Sequence, residues 1–338
     1  MDDWAEPGAH EVSAGVFRIP LSMPGDGLRA VNVYAMETGD GLVLIDAGWR
    51  TPTSLDELES ALRSVGYDAA SVRDVYVTHI HRDHYTLAVE LRRRFGTRIG
   101  LGRDEAPGLH ELLEIASNVP VASLAQLRRS GDPDLADLIE ELTAAECFDA
   151  ESWEKPDSWL DPGEYAIGAR VVEAVATPGH TKGHLVFHDL EAGLLFAGDH
   201  LLPTISPSIG FELGEWDLPL GSYLTSLEQV LARPDAVLLP AHGAPGSSVH
   251  ARASELLEHH DVRLAETVEA LDRLGSTATA SQVAQALTWT RHRRAYAELD
   301  DFNRMIATCE TIAHLDVLVA RARAVVADGP DGALFSLD

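Results

Sequence analysis

Four short stretches concentrate the side chains able to do chemistry. The densest is His79-Ile80-His81-Arg82-Asp83-His84, directly after the apolar run Val75-Tyr76-Val77. Residues two apart in an extended segment project to one side, so His79 and His81 can converge on one ion, while Asp83 and His84, on the turn that follows, can face a second. One loop would then supply both halves of a binuclear site. The competing reading is a His-rich surface loop, since the chain holds 15 histidines. Multiplying the chain's own His and Asp frequencies gives that string a chance of about 0.002, which disfavours accident.

The other three stretches are Thr177-Pro178-Gly179-His180-Thr181, Ala197-Gly198-Asp199-His200 and Pro240-Ala241-His242-Gly243. Each places one metal-capable side chain on a Gly- or Pro-shaped loop after a predicted strand, where a rigid scaffold commonly presents functional groups. Imidazole and carboxylate without thiolate suit Zn²⁺, Fe²⁺ or Mn²⁺, and ligand type alone does not choose among them. Cys147 and Cys309 stand far apart with no Cys-x-x-Cys pair, so both are expected to be buried, reduced thiols. A Gly-x-Ser-x-Gly nucleophile elbow is absent.

The elements that must position these loops are legible as runs and breaks. Val16–Ile19, Ala30–Ala35 and Leu42–Ile45 have strand length and are bounded by turn residues, with Gly39-Asp40-Gly41 as a hairpin connection. Pro52–Val65 carries helical spacing, and Val72–Val77 returns to strand. The second half repeats this order, with predicted strands at 171–176, 185–188, 194–197 and 236–239 and a helix at Tyr223–Leu231. Two β-rich halves predict an α/β, two-sheet sandwich flanked by helices. Between them, Asp104–Trp159 reads as an inserted helical flap, with Leu109, Leu112 and Leu113 on one apolar face that could close over the strand-end loops. Beyond residue 248 the pattern is helical: about 249–274, 280–287 and 302–324, closed by a small hairpin. The expected organisation is therefore a catalytic domain over 1–248 and a winged-helix-like domain over 249–338.

With these residues in place, the sequence resembles the metallo-β-lactamase superfamily of hydrolases over about Val12–Gly246. That resemblance implies an αββα sandwich. It implies that His79, His81 and His180 hold a first metal, that Asp83, His84 and His242 hold a second, and that Asp199 bridges them. Asp46, in Leu44-Ile45-Asp46-Ala47-Gly48, matches an Asp that orients a ligand His from beneath. The implied cofactors are two Zn²⁺, with Fe²⁺ or Mn²⁺ open. Thr177–His184 is similar to the branch holding glyoxalase II-like thioesterases, lactonases and some nucleases. The implied activity is hydrolysis of an acyl bond, thioester or lactone, by a bridging hydroxide that Asp83 helps to orient. Tyr85-Thr86 departs from the small residue and Gly of many relatives, so a phenol is expected beside the metals.

Composition narrows the alternatives. The chain has 338 residues, 26 Lys+Arg against 54 Asp+Glu and a net charge of −28, which repels phosphate backbones. A nuclease is therefore the second reading, kept by the basic cluster Arg291-His292-Arg293-Arg294, and a non-catalytic metal-binding interaction protein is the third. The expected partner is a small acyl molecule, with no membrane, no tightly held nucleic acid and a homodimer among the assemblies open to it. A start without a signal-peptide pattern and no run of 18 apolar residues read as cytoplasmic. His184 and His200 are expected to be structural, His259-His260 solvated and Arg92-Arg93-Arg94 an exposed helix face. Tyr34, Tyr85, Phe211, Trp216 and Tyr223 are divided between pocket and core.

Overall fold

The computed structural model describes all residues except 1–2, 26, 211–215, 276 and 291. The first half builds a seven-stranded sheet in the order β1 (His10–Ser13), β2 (Val16–Ser22), β3 (Ala30–Thr38), β4 (Gly41–Ile45), β5 (Val72–Val77), β6 (Arg98–Gly102) and β7 (Ser158–Leu160). Neighbours up to β4 pair antiparallel, and β4 through β7 run parallel. The second sheet holds β8 (Gly163–Ile167), β9 (Arg170–Ala176), β10 (Leu185–Asp189), β11 (Leu194–Gly198) and β12 (Val237–Pro240). Only its outer pair, β11 with β12, is parallel.

The period-2 alternation of strand side chains explains the layering. Tyr34 and Met36 of β3 pack with Phe187 of β10 and Phe196 of β11 between the sheets. Val31, Val33 and Ala35 point the other way, into a cluster with α1 (Ser54–Ser64) and α2 (Arg82–Phe95). Leu195 and Ala197 of β11 likewise face helices on the far side of the second sheet.

The segment joining β6 to β7 carries α3 (Ala106–Ile115), α4 (Val121–Arg129) and α5 (Pro133–Ala144). It is helical as predicted, and its apolar residues pack on two different cores. Leu109 is 1 % exposed within the cluster of the first sheet. Leu124, Leu127, Leu135, Ala136 and Ile139 close a small core with Met305 and Cys309.

Helix α6 (Pro219–Leu231) covers the second sheet, followed by α7 (Val249–Leu274), β13 (Ala278–Thr279), α8 (Ala280–Ala286), β14 (Thr288–Trp289), β15 (Arg294–Ala295) and α9 (Asp301–Ala320). The hairpin β16 (Ala324–Gly329) and β17 (Gly332–Leu337) adds β13 as a third strand, in the order β13-β17-β16. One apolar cluster runs from Val186, Leu195 and Leu238 through α6 into α7, α8, α9 and Phe335. The C-terminal elements therefore share a core with the second sheet. Met305 and Cys309 belong to α9, so the inserted helices rest on it too, and Arg129 of α4 pairs with Asp316 of α9 at 2.6 Å.

Several local expectations change. Cys147 is exposed, whereas Cys309 is buried. His260 is buried at 1 % exposure because α7 turns it toward α9, while its neighbour His259 stays exposed. Arg93 and Arg94 are exposed, but Arg92 is half-buried and donates to Lys155 O at 2.7 Å. Tyr34, Tyr85 and Tyr223 are core residues, Trp216 is half-buried, and Phe211 lies outside the described residues.

Candidate metal centre

Every candidate ligand loop leaves the same end of the sandwich. Asp46 follows β4, His79 and His81 follow β5, His180 follows β9, Asp199 follows β11 and His242 follows β12. The two sheets are joined at this end by hydrogen bonds from Leu185 N–H to Thr78 O, 2.8 Å, and from Asn32 N–H to Ala241 O, 2.7 Å. Gly198 permits the approach: its φ is +50°, and a Cβ there would fall 2.7 Å from both Thr78 Oγ1 and His184 Nε2. Asp83 and His84 lie in the first turn of α2 rather than on a free turn. There the partial positive end of the helix favours the Asp83 carboxylate.

The side chains converge in two groups around one shared carboxylate. His81 Nδ1 lies 3.1 Å from His79 Nε2 and 3.0 Å from His180 Nε2. Asp83 Oδ2 lies 3.2 Å from His242 Nε2 and 3.5 Å from His84 Nε2. Asp199 faces both groups. Its Oδ2 is 3.5 Å from His180 Nε2, and its Oδ1 is 3.4 Å from His242 Nε2 and 3.7 Å from His84 Nε2.

Hydrogen bonds on the outer nitrogens fix which ring atoms face inward. His180 Nδ1–H donates to Ser208 O and His242 Nδ1–H to Ala30 O, each at 2.8 Å. His84 Nδ1–H donates to Asp46 Oδ2, 2.8 Å. Thr78 O–H is committed to Asp46 Oδ2 at 3.0 Å, so the Thr78 oxygen accepts from His79 Nδ1–H, also at 3.0 Å. Four Nε2 atoms are thereby turned toward the centre, the arrangement that orients metal-binding imidazoles.

His84 Nε2, His242 Nε2 and Asp199 Oδ1 are buried and make no hydrogen bond. Leaving such atoms unsatisfied costs roughly 1–3 kcal/mol each, and a cation removes that penalty. Groups of donor atoms from His79/His81/His180, His79/His84/Asp199 and Asp83/His84/His242 each lie within 4.8 Å of one another. The donor set fits a pair of divalent ions.

Electrostatics divides the two halves. Burial pushes His79 well below its ordinary pKa and His81 down to about 3, with neighbouring imidazoles adding to the shift, and burial lowers His180 as well. Those three imidazoles are neutral at physiological pH. For His84, burial is outweighed by Asp46, Asp83 and Asp199, and its pKa stands well above the usual value. His242 is raised by Asp199 and Asp83 against its burial, and Asp83 is held well below the carboxylate range by His84 and His242 against its own. The carboxylate-rich half demands positive charge, which a divalent ion supplies in place of protons.

Residues around the ligands explain their rigidity. Asn32 Nδ2 donates to Pro240 O at 3.0 Å and Gly243 O at 2.9 Å, and Tyr34 O–H donates to Pro240 O at 2.8 Å, so β3 pins the His242 loop. His184 Nε2 accepts Asp199 N–H at 3.2 Å while its Nδ1–H donates to Thr177 Oγ1 at 2.9 Å, which makes it a prop for Asp199. His200 is buried with neither ring nitrogen hydrogen-bonded. Tyr85 is not beside the ligands: it stacks on Trp153 and donates its O–H to Glu154 O, because it lies one helical step from His84 on the core-facing side of α2. Asn32 and Thr78 support these loops and were not flagged by the sequence. Nothing in their spacing marks them.

Residues 26–242 match the family model of the metallo-beta-lactamase superfamily. The chain belongs to that superfamily. It is similar to the lactamase-like protein adaB of Aspergillus niger, 25 % identical over 276 residues that span 81 % of this chain and 69 % of that one. It is also similar to the atrochrysone carboxyl ACP thioesterase AgnL7 of Paecilomyces divaricatus, at 25 % identity over 79 % of this chain and 68 % of the relative. Among solved structures, the metallo-beta-lactamase family protein TTHA1429 of Thermus thermophilus superposes with a TM-score of 0.78 at 26 % identity, covering 97 % of this chain and all of the other. That superposition takes in the C-terminal helices as well as the sandwich. Among the described residues, no helix is long and apolar enough to cross a membrane.

Proposed function

We propose that the protein is a binuclear metal-dependent hydrolase that cleaves an acyl bond, with a small acyl thioester as substrate and a lactone as the neighbouring class. The observation that carries this reading is Asp199, whose two oxygens face different groups of ligands. Two divalent ions held there would lower the pKa of a water toward 7 and polarise the acyl oxygen. Asp83, unprotonated and half-buried, accepts a hydrogen bond from the attacking water and aims its oxygen at the carbonyl carbon. The C–S bond then breaks, giving carboxylate and thiol. The thioesterase name of one relative supports the choice of thioester.

Nucleic acid is not the proposed partner. Arg293, one of the basic cluster in the C-terminal region, already lies 3.8 Å from Glu266, and Arg291 lies outside the described residues. The test is a hydrolysis screen of zinc-loaded protein against acyl thioesters, lactones, β-lactams and phosphodiesters. Thioester turnover that falls at least 100-fold in Asp83→Asn is expected. Turnover confined to phosphodiesters would establish the nuclease reading instead, and two bound ions with no turnover of any class would establish a metal-binding protein without catalysis.

A further inference from the structure

Glu105 lies on the turn between β6 and α3, 1 % exposed, and none of the chemistry above uses it. Its carboxyl accepts the Thr181 O–H at 2.5 Å and lies beside the backbone N–H of Ile80. Ile80 stands between His79 and His81, and Thr181 follows His180. One side chain therefore bonds the His180 loop and lies against the His79–His81 loop, the two that carry the three-histidine group. The backbones are equally close. A Cβ on Gly102 would fall 2.2 Å from Gly183 O, and a Cβ on Gly183 would fall 2.3 Å from Glu105 N, so two bare glycines let the turn reach the His180 loop.

We infer that Glu105 is a positioning residue for one half of the centre, holding the His79–His81 loop at a set distance from His180 and thereby setting how tightly that half binds its ion. A carboxylate suits the task because both neighbours are donors, an O–H and an N–H, and it is an acceptor. Outer partners of this kind commonly change metal affinity 10–100-fold when removed. Both of these contacts are with the three-histidine half, which makes the effect one-sided.

The inference rests on reading the two groups as metal sites, and the experiment separates the two claims. Zinc affinity is measured by competition with a chromophoric chelator, and ligand geometry by the visible absorption of the Co²⁺-loaded protein. In a His242→Ala background, where the three-histidine half remains, Glu105→Leu should weaken the retained ion at least 10-fold and shift the Co²⁺ band. In a His180→Ala background the same change should leave the retained ion within 2-fold. Glu105→Gln should restore most of the affinity, because its amide oxygen can still face Ile80 N–H and its NH₂ can donate to a reoriented Thr181 hydroxyl. Equal loss in both backgrounds, no loss in either, or Gln no better than Leu would each overturn the role of Glu105. If the unaltered protein binds fewer than two ions, it is the metal reading that fails. Should Glu105→Leu not fold, Thr181→Val removes one of the two contacts and must give a smaller loss on the same side.

Discussion

Among the described residues, two groups of buried histidines differ in whether carboxylates stand among them. At the strand ends, His79, His81, His84, His180 and His242 surround Asp83 and Asp199. Behind them, His200 lies against Tyr223 with ring centroids 5.3 Å apart, Tyr223 against His260 at 5.5 Å, and His260 against His314 at 5.3 Å. His314 Nδ1–H donates to Glu310 O at 2.8 Å, which leaves its Nε2 to accept from His260 Nδ1–H at 3.2 Å. The second group is as buried as the first, but it packs against aromatic and aliphatic neighbours, and Glu310 offers His314 a backbone oxygen. Burial therefore drives His260 down to about 2 and His314 to about 3. Only where carboxylates outweigh burial, at His84 and His242, is a buried imidazole raised; elsewhere, in both groups, burial keeps the ring neutral.

The sharpest test of that contrast is Asp199→Ala, because both groups of ligands face its two oxygens. Zinc content measured by mass spectrometry should fall from two ions per chain to less than one, and hydrolysis should fall at least 1,000-fold. His242→Ala is the next step down. It removes one ligand of the carboxylate-rich half and should reduce content to about one ion, leaving the other half loaded. If both ions leave together in His242→Ala, the two halves do not bind independently. A smaller effect is expected from His260→Gln: unchanged zinc content, with stability reduced on the order of 1–3 kcal/mol in urea unfolding, because His314 loses a well-placed donor. Loss of zinc in that variant would remove the distinction between the two groups.

The contrast also shows what the sequence could reveal. The residues that converge were legible because each sits in a short local string, such as His79-Ile80-His81-Arg82-Asp83-His84, at the end of a strand whose apolar run is itself visible. The meander of β2 to β4 and the helix α7 were legible for the same reason, local periodicity. Strand β6, Arg98-Ile99-Gly100-Leu101-Gly102, escaped because two glycines interrupt it, although Ile99 and Leu101 between them are fully buried. Burial of His260 and Tyr85, exposure of Cys147 and docking of the inserted helices on α9 depend on contacts between segments far apart in the chain, which no local pattern encodes. Leu109, Leu112 and Leu113 do mark a helix with an apolar face, but periodicity cannot say which surface that face will meet.

The smallest predicted effect concerns pH. A histidine whose folded pKa lies below its unfolded value near 6.5 binds its proton only after unfolding, so between those two values the unfolded state carries the extra proton. Stability then rises with pH across that window and is lost as pH falls from about 6.5 toward the folded values, which are about 2 for His260 and about 3 for His314. Each such group adds a slope of about 1.4 kcal/mol per pH unit. Between pH 4 and pH 5.5, with chelator present to remove the ions from both proteins, His260→Gln should show a dependence of stability on pH shallower than wild type by close to one proton. The ligand histidines contribute equally to both proteins and cancel in the difference. An unchanged slope would mean that His260 is already protonated when folded, and the carboxylate-free group would then hold charge in the same way as the centre.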